Sequence, residues 1–340
     1  MKTLWLTADD GGIETAAELI KKGGLVAIPT ETVYGLAADA LNGEAVSNIF
    51  KAKGRPMDNP LIVHIAALSQ LEELVAAFPE QARALSSAYW PGPLTLVLPK
   101  SKEIPDEVSA GLSSVAVRFP SHPVAHEVIL KSGCALAAPS ANLSGSPSPT
   151  EAQHVYDDLN GRIDAVLDGG GCEVGVESTV LSLTDESKPR LLRPGGVTLQ
   201  QLESVIGPVV VDPAVLNRLE DGEKAASPGM KYKHYSPNAH VVLLKGGEQA
   251  YAAFVNAHAA PGVMALCYEE DVKNLLVEAV SFGRKDDDKT QARLLFRKLR
   301  ELDEKHAKLV FAHCPKPVGV GMAVYNRLIR AAGFEVQKLD

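Results

Sequence analysis

The first residues that could do chemistry follow an apolar run near the N-terminus. Residues 24–29 read GLVAIP, and the run ends in Thr30, Glu31 and Thr32, with Tyr34 close behind. Such a run predicts a buried strand, and ligands of open α/β sheets lie beyond the carboxyl ends of strands. Two hydroxyls, a carboxylate and a phenol at this point could therefore bind a ligand. Alternatively, they only cap a following helix, a position that suits threonine.

A second group of candidates is basic. Lys51 and Lys53 end a predicted helix that Gly54 stops, and cations at a helix C-terminus complement its dipole. That effect accounts for the lysines but not for Arg55, which lies past the glycine and is followed by Asn59. A Lys-x-Arg pair in a turn could bind a phosphate chain, the lysine as a point charge and the arginine as a planar fork.

Two further candidates lie on predicted strands. Residues 113–120 read SSVAVRFP, and strand alternation places Ser114, Ala116 and Arg118 on one face. Two small side chains beside an arginine predict a cavity wall with a cation projecting from it, and the alternative is an exposed face with a surface arginine. His64 ends the apolar stretch LIVH, where a lone histidine is more often a satisfied core residue than a ligand contact.

Two loops have unusual compositions. Residues 138–150 read APSANLSGSPSPT, and hydroxyls with backbone N–H groups in a loop can hold an anion, although the same residues are typical of ordinary turns. Residues 227–237 read SPGMKYKHYSP. Interleaved aromatic and basic residues suit a lid over a nucleotide or a loop that contacts RNA, and the alternative is a plain linker.

The elements that must position these residues form two domains. Helix and strand patterns alternate over residues 1–211, which predicts a mixed α/β domain with more strands than a simple doubly wound sheet. Residues 212–238 lack periodicity and are predicted to be a linker or lid. Alternation resumes over residues 239–340 and predicts a second, smaller α/β domain.

Composition excludes several classes of protein. The chain has 340 residues, of which 46% are hydrophobic, and a formal net charge of −8. The acidic balance disfavours non-specific nucleic-acid coating but is compatible with a small basic pocket. Four scattered cysteines without a Cys-x-x-Cys pair indicate free thiols rather than zinc. The N-terminus lacks a signal-peptide pattern and no run is long enough to cross a bilayer, so a cytoplasmic protein is predicted.

Seven motifs, taken in order, resemble those of the L-threonylcarbamoyladenylate synthases in their long two-domain form. The motifs are PTETVYGL, KAKGRPMDNPL, SSVAVRFP, APSANLSGSPSPT, GVESTVL, LLRPGG and SPGMKYKHYSP. In that family the first six belong to the catalytic domain and the last to the linker. The resemblance implies a YrdC-like twisted mixed α/β catalytic domain, followed by a smaller Rossmann-like α/β domain.

The resemblance also implies a reaction. The family joins L-threonine, bicarbonate and ATP to give L-threonylcarbamoyl-AMP and pyrophosphate, in support of the N6-threonylcarbamoyl modification of adenosine 37 in tRNA. Magnesium would accompany ATP, and no protein ligand is expected for it. The implied partners are the downstream tRNA threonylcarbamoyl-transferase machinery and, by direct contact, tRNA.

Site residues follow from the family's motifs, position by position. The catalytic signature corresponds to Lys53, Arg55, Ser140 and Asn142. The implied ATP-binding residues are Arg55, Asn59, Ser114, Ser140, Ser148, Arg193 and Tyr235. The implied L-threonine-binding residues are Thr32, His64, Arg118, Ala138 (through its backbone) and Ser178.

Two other functions compete with the synthase. One is a non-catalytic RNA-binding module with a YrdC-like fold, which the acidic charge disfavours. The other is a carbamoyl-transferring relative, but such proteins add zinc-finger and acylphosphatase-like segments, and no Cys-x-x-Cys pattern is present.

Overall fold

The computed structural model describes residues 2–9, 11–217 and 235–339. The chain divides into two compact units. The first comprises Met1–Ser144, Ser148–Glu173 and Glu177–Lys231, and the second comprises Gly145–Pro147, Val174–Val176 and Tyr232–Asp340. Of the predicted linker, Pro213–Val215 form a 3-10 turn, while residues 218–234 lie outside the described residues.

The first unit is built on one large mixed sheet. Its described strands are β1 (Leu4–Thr7), β2 (Val26–Ile28), β3 (Gly35–Asp39), β4 (Ile62–His64), β5 (Leu94–Pro99), β6 (Ser114–Arg118), β7 (Leu136–Ala137), β8 (Ala165–Asp168), β9 (Thr179–Ser182), β10 (Arg190–Arg193) and β11 (Val210–Val211). They lie in the order β1-β8-β2-β3-β7-β4-β6-β5-β9-β10-β11. The prediction of a mixed α/β domain with many strands is confirmed.

Helices accompany this sheet. They are α1 (Gly12–Lys21), α2 (Gly43–Lys53), α3 (Leu71–Leu74), α4 (Glu80–Tyr89), α5 (Asp106–Ser109), α6 (Pro123–Ser132), α7 (Ala152–Leu159) and α8 (Leu199–Ile206). Helix α2 shows why the sequence forms a helix there. The Asn42 side chain accepts a hydrogen bond from the Ala45 N–H at its start, and Gly54 adopts φ 63° at its end, a left-handed conformation that glycine tolerates best. The predicted helix stop is confirmed.

The segment after β2 corrects one expectation. Residues 29–34 lead into strand β3, which pairs with β2 in antiparallel register, and not into a helix. The idea that Thr30 to Tyr34 cap a helix is therefore wrong. The burial of all six residues is explained instead by their place against the sheet.

Apolar side chains cover the sheet. One cluster contains Val63, Val115 and Val117 together with residues of α2 and α7, and a second packs α1 and α6 against β2 and β8. Alternation along β6 turns Ala116 to the other face, into a smaller apolar cluster. That cluster contains Ile62, Val97, Ala116, Val180, Leu192 and Ala214.

The second unit is a parallel sheet flanked by helices. Its strands are β12 (His240–Lys245), β13 (Val263–Cys267), β14 (Glu278–Ser281), β15 (Leu309–His313) and β16 (Val336–Lys338). Its helices are α9 (Glu248–Ala257), α10 (Glu269–Val272), α11 (Asp288–Glu304) and α12 (Gly321–Ala331). The strand order is β14-β13-β15-β12-β16 with every recorded pairing parallel, as expected of a Rossmann-like domain.

Two chain-wide features complete the description. All four cysteines are free, with Cys172 and Cys267 buried and Cys134 and Cys314 partly exposed. Within the described ranges, the helices are all too short or too polar to pass through a membrane.

Candidate active site

The segment between β2 and β3 is held in shape by Thr30. Its hydroxyl donates to the Val33 carbonyl at 2.7 Å and accepts from the backbone N–H groups of Thr32 and Val33 at 3.2 and 3.3 Å. Tyr34 is also occupied, because its hydroxyl donates to the Gly170 carbonyl at 2.7 Å. Of the four polar residues noted at this point, Thr30 and Tyr34 are therefore structural, and Glu31 and Thr32 carry the side chains that reach the site.

Arg118, at the end of β6, is the centre of this site. Its Nη1 donates to the Thr32 hydroxyl at 2.8 Å, and its Nε donates to the Gly92 carbonyl at 3.3 Å. Three strands separate β2 from β6 in the sheet, and the two run in opposite directions. Segment 29–34 must therefore cross the sheet face to bring Thr32 to Arg118. The site is not a simple carboxyl edge of parallel strands.

The environment of Arg118 corrects both sequence interpretations of its strand face. Only 3% of the Arg118 surface is exposed, so it is not a surface arginine. Ala116 does not line an open cavity either, because it packs in the apolar cluster described above. The cation lies at the end of the strand, beyond this cluster.

Glu31 is the charge partner of Arg118. Its Oε1 lies 2.7 Å from Arg118 Nη2, and both side chains are almost fully buried. Burial acts to raise the pKa of Glu31, but the guanidinium and nearby backbone N–H groups of Glu31 and Ser121 outweigh it and lower the pKa. Glu31 is therefore an ionised carboxylate inside the site.

His64 lies next to Arg118 on the same sheet face. The two residues are in register between β4 and β6, and in-register residues of neighbouring strands point to the same side. Burial and, secondarily, the positive charge of Arg118 lower the pKa of His64 to about 3. The imidazole is therefore neutral at physiological pH and serves as a hydrogen-bonding group, not as a cation.

Polar side chains on neighbouring strands lie between Arg118 and Arg193. Thr95 is in register with Arg118 on β5, and its hydroxyl lies 2.7 Å from the Ser178 hydroxyl. Arg193 donates to the Ser178 carbonyl at 3.1 Å and to its hydroxyl at 3.2 Å. The structure thus places Ser178 between the two buried arginines.

Ala138 approaches from strand β7. Its N–H donates to the Ile62 carbonyl at 3.0 Å. A side chain at Gly35 would lie 3.2 Å from the Ala138 Cβ, so glycine permits the close approach of β3 to this backbone. With Thr32, His64, Arg118 and Ser178, all five predicted threonine-binding residues lie in the first unit, around the strands that hold Arg118.

Lys53 has a role that differs from the predicted phosphate contact. Its ammonium donates to the carbonyls of Ser140 and Asn142, the latter at 2.6 Å. The side chain is buried, and burial followed by the nearby charge of Arg55 lowers its pKa well below the usual range. In this structure Lys53 holds the loop that carries Ser140 and Asn142.

Three backbone N–H groups of the same loop already have partners. The Ala141 N–H donates to the Tyr34 carbonyl at 2.8 Å, and the Ser144 N–H donates to the Lys53 carbonyl at 2.9 Å. The Leu143 N–H lies 3.3 Å from the Asp158 carboxylate. These three N–H groups are therefore used within the protein.

Arg55 and Asn59 form a small polar group in front of β4. The guanidinium donates to the carbonyls of Asn59 and Pro60, both at 3.1 Å. Asn59 is only 1% exposed, yet within the described part of the chain neither polar atom of its amide has a hydrogen-bond partner. A buried amide without partners costs stability, which is consistent with a binding role.

The remaining predicted nucleotide residues are more dispersed. Ser148 donates to Glu177 Oε1 at 2.6 Å. Glu177 directly precedes Ser178 in the sequence. Ser114 starts β6, about 13 Å along the strand from Arg118. Tyr235 belongs to the second unit, where its ring packs 5.2 Å from Phe296 and lies beneath the Arg327 guanidinium at 5.8 Å.

Sequence reasoning left three contributors unassigned. Glu31 stood within the first motif, but no pattern pointed to its pairing with Arg118. Thr95 is a polar residue in an apolar strand, and Glu177 is a carboxylate directly before Ser178 in the motif GVESTVL. Polar residues inside otherwise apolar strands and motifs were the available signal.

Family models match almost the whole chain. The Sua5/YciO/YrdC model, which carries the description "Telomere recombination", matches residues 18–195. The model for the C-terminal domain of threonylcarbamoyl-AMP synthase matches residues 197–333. The fold and the buried basic site thus belong to the class of Sua5/YciO/YrdC proteins.

Individual relatives define the family more narrowly. Threonylcarbamoyl-AMP synthase of Bacillus subtilis is 47% identical over 97% of this chain and 96% of that protein. The synthase of Pyrococcus abyssi is 46% identical over 96% of each chain. The crystal structure of P. abyssi Sua5 complexed with L-threonine is similar with a TM-score of 0.89 and 43% identity, covering 99% of this chain and 100% of that one. The chain belongs to the threonylcarbamoyl-AMP synthase family. It is accordingly an enzyme, and the reaction of the family forms a threonylcarbamoyl adenylate.

Proposed function

We propose that the protein joins L-threonine, bicarbonate and ATP to give L-threonylcarbamoyl-AMP and pyrophosphate, for the threonylcarbamoyl modification of adenosine 37 in tRNA. In this reaction the threonine amine is carboxylated, and a carbamate oxygen then attacks the α-phosphorus of ATP. Such chemistry depends on positioning two anionic reactants and on stabilising charge as pyrophosphate leaves.

The observation that carries this proposal is the position of Arg118. A buried guanidinium, held by Thr32 and Gly92 and flanked by the neutral His64, suits a substrate carboxylate as a two-pronged partner. Ser178 is hydrogen-bonded to Thr95, which is in register with Arg118 on the neighbouring strand. The crystal structure of P. abyssi Sua5 complexed with L-threonine supports threonine as a substrate.

The nucleotide half is proposed to include Arg55, Asn59 and Arg193. Arg55 and Arg193 supply positive charge for phosphates, and the unpartnered Asn59 amide supplies a donor and an acceptor. Ser114, Ser140 and Ser148 complete this half as inferred from the family motifs. Lys53 and Asn142 act mainly by shaping the Ser140 loop.

Magnesium is proposed to enter with ATP. This ion keeps much of its water and is usually held by substrate phosphates with one or two carboxylates. Over residues 2–9, 11–217 and 235–339 no group of three or more His, Cys, Asp or Glu side chains could hold a metal. When bound with ATP, the ion would neutralise charge on the leaving pyrophosphate.

Further parts of the proposal concern the rest of the chain. Tyr235, assigned to the nucleotide from the family motif, is proposed to help protect the mixed anhydride from water, and the linker residues 218–234 that precede it lie outside the described residues. The product is proposed to pass to a tRNA threonylcarbamoyl-transferase in the cytoplasm. Removal of the linker with the second unit, which takes Tyr235 away, should then reduce turnover strongly, and unchanged turnover would contradict this role of Tyr235.

The reaction is tested by pyrophosphate release from ATP with threonine and bicarbonate omitted one at a time. Release that requires both substrates supports the synthase. Arg55→Ala should raise the KM for ATP much more than that for threonine. Release that ignores threonine, or tight ATP binding without release, would overturn the proposal and favour an RNA-binding role for the same fold.

A further inference from the structure

The pair formed by Glu31 and Arg118 has an unusual geometry. The two charged atoms are 2.7 Å apart, but the guanidinium N–H does not point at the carboxylate. The Glu31 and Ser121 N–H groups and the guanidinium lie near enough to lower the pKa of this carboxyl; among the described residues, however, neither oxygen of Glu31 has a donor at good hydrogen-bond geometry, and Arg118 Nη2 has no such acceptor. The two charges neutralise each other without forming a directed bond.

Such an arrangement is costly for a purely structural pair. Removing two ions from water is repaid only when the geometry is good and additional hydrogen bonds satisfy the remaining atoms. Here Glu31 is 4% exposed and Arg118 is 3% exposed, so bulk water hardly reaches either side chain. The misaligned atoms are an unsatisfied acceptor and an unsatisfied donor side by side.

An α-amino acid has the complementary pair of charges on one carbon atom. Its carboxylate would satisfy Arg118 Nη2, and its ammonium group would satisfy Glu31. We propose that Glu31 binds the α-ammonium group of the amino-acid substrate and accepts its proton before carboxylation. This inference rests on the proposed function, because it takes the occupant of the Arg118 pocket to be threonine.

The proton step follows from the order in which charges are paired. Once the substrate carboxylate binds Arg118, the guanidinium is shared between this carboxylate and Glu31. The Glu31 carboxylate then becomes more basic, because it is less strongly stabilised by the positive charge. The ammonium N–H bond then breaks and a proton passes to the Glu31 carboxylate, leaving a neutral amine with a free electron pair. That pair forms the N–C bond with bicarbonate, an amine proton and the departing hydroxide combine as water, and Glu31 returns its proton to solvent.

The test compares two ligands on the full-length protein by calorimetry. L-threonine carries both charges, whereas 3-hydroxybutanoate retains the carboxylate and the β-hydroxyl but has hydrogen in place of the amine. The wild-type protein should bind threonine roughly 10- to 100-fold more tightly than the analogue, as expected for a buried charged hydrogen bond. In Glu31→Gln this preference should largely disappear, and Glu31→Asp should retain part of it.

Two further readouts separate binding from a merely structural effect. In Glu31→Gln, threonine-dependent pyrophosphate release should rise with pH as free threonine loses its ammonium proton, and the wild-type profile should be flatter. Asp271→Asn in the second unit is the matched control, because Asp271 is another buried carboxylate with a nitrogen partner. It should leave the threonine preference unchanged.

The outcomes distinguish this inference from the function on which it rests. Wild-type protein that binds no threonine would remove the proposed function first. Wild-type protein that discriminates against the analogue, with the same discrimination in a folded Glu31→Gln, would overturn the role of Glu31 and leave the function intact. An equal loss of preference in Asp271→Asn would also overturn it, since the effect would not be local.

Discussion

Each unit of the molecule buries a carboxylate against a nitrogen-containing side chain, Glu31 against Arg118 and Asp271 against His313, and these two pairs differ. In the second unit, His313 Nδ1 and Asp271 Oδ2 form an aligned hydrogen bond of 2.7 Å. The other ring nitrogen lies 3.2 Å from the Gly246 carbonyl, and the ring stacks on Tyr251 at 4.3 Å. In the first unit, Glu31 and Arg118 are equally close but not aligned.

The difference separates a structural pair from a binding pair. His313 joins the ends of β12 and β15 to α10 and uses both of its nitrogens to do so. Arg118 uses two nitrogens on Thr32 and Gly92 and leaves the third without a directed bond. Directed bonds are what make a buried pair stabilising, so a buried pair without them indicates a place prepared for a ligand.

The largest effect is expected from removal of the cation in the binding pair. Arg118→Ala should reduce threonine-dependent pyrophosphate release by roughly 100- to 1,000-fold, the range seen when a buried electrostatic contact to a reacting group is lost. ATP binding, measured separately, should persist. Pyrophosphate release by Arg118→Lys should lie between that of the wild type and that of Arg118→Ala, because lysine keeps the positive charge but lacks the planar fork of donors. Near-normal pyrophosphate release by Arg118→Ala would contradict the assignment of Glu31 and Arg118 as a binding pair.

The structural pair should respond in stability rather than in activity. Asp271→Asn disturbs the buried hydrogen bonds that this carboxylate accepts from His313 and from the Tyr268 N–H, and should cost about 1–3 kcal/mol of unfolding free energy, since a buried polar group that loses its partner costs about that much. Hydrogen exchange at β12 and β15 is the direct measurement. Pyrophosphate release per folded molecule should not change, and a specific loss of threonine binding would contradict the structural assignment.

A smaller effect is expected from His64, which tests the electrostatic environment of Arg118. The pKa of the His64 imidazole is lowered to about 3 in the folded protein. As the pH falls through about 6.5, the unfolded chain therefore binds a proton at this residue, whereas the folded protein does not. The contribution of His64 to the free energy of unfolding is therefore fully present above pH 6.5 and is lost progressively as the pH falls towards 3. Between pH 7.5 and 5.5 the wild type should lose about 1.4 kcal/mol more than His64→Gln. Urea titrations at the two pH values measure this difference in unfolding free energy. An equal loss in the wild type and in His64→Gln would contradict the conclusion that His64 is neutral in the folded protein.

The smallest effect is expected at an exposed pair. Lys131 and Glu14 lie 3.0 Å apart with about half of each side chain in solvent, and such pairs contribute little. Glu14→Gln should leave both the urea midpoint and pyrophosphate release unchanged within error. A clear loss would show that distance alone, without burial or alignment, suffices to make a pair matter.

Local features of the fold were predictable from the sequence because they depend on neighbouring residues. The end of α2 at Gly54 follows from one glycine after two lysines, and the placement of Ser114, Ala116 and Arg118 on one face follows from alternation in a short strand. The family motifs then predicted which polar residues belong to the site. These inferences required no knowledge of the sheet order.

Long-range features were not predictable in this way. The pairing of Glu31 with Arg118 joins residues that lie beyond β2 and at the end of β6, with three strands between. Strand β3 was missed because GLAAD, with small and apolar residues, has no period-2 pattern. The role of Lys53 depends on which carbonyls lie opposite its side chain, and only the folded loop determines that.

The clamped loop at residues 140–144 has a consequence for the free energy of binding. Lys53 holds its carbonyls, while Tyr34, Asp158 and the Lys53 backbone hold its N–H groups. Fixing the backbone of one residue costs about 1–2 kcal/mol of conformational entropy, and here folding has already met that cost. A nucleotide that reaches Ser140 therefore meets a surface that does not have to become ordered, and more of the contact energy is available for affinity.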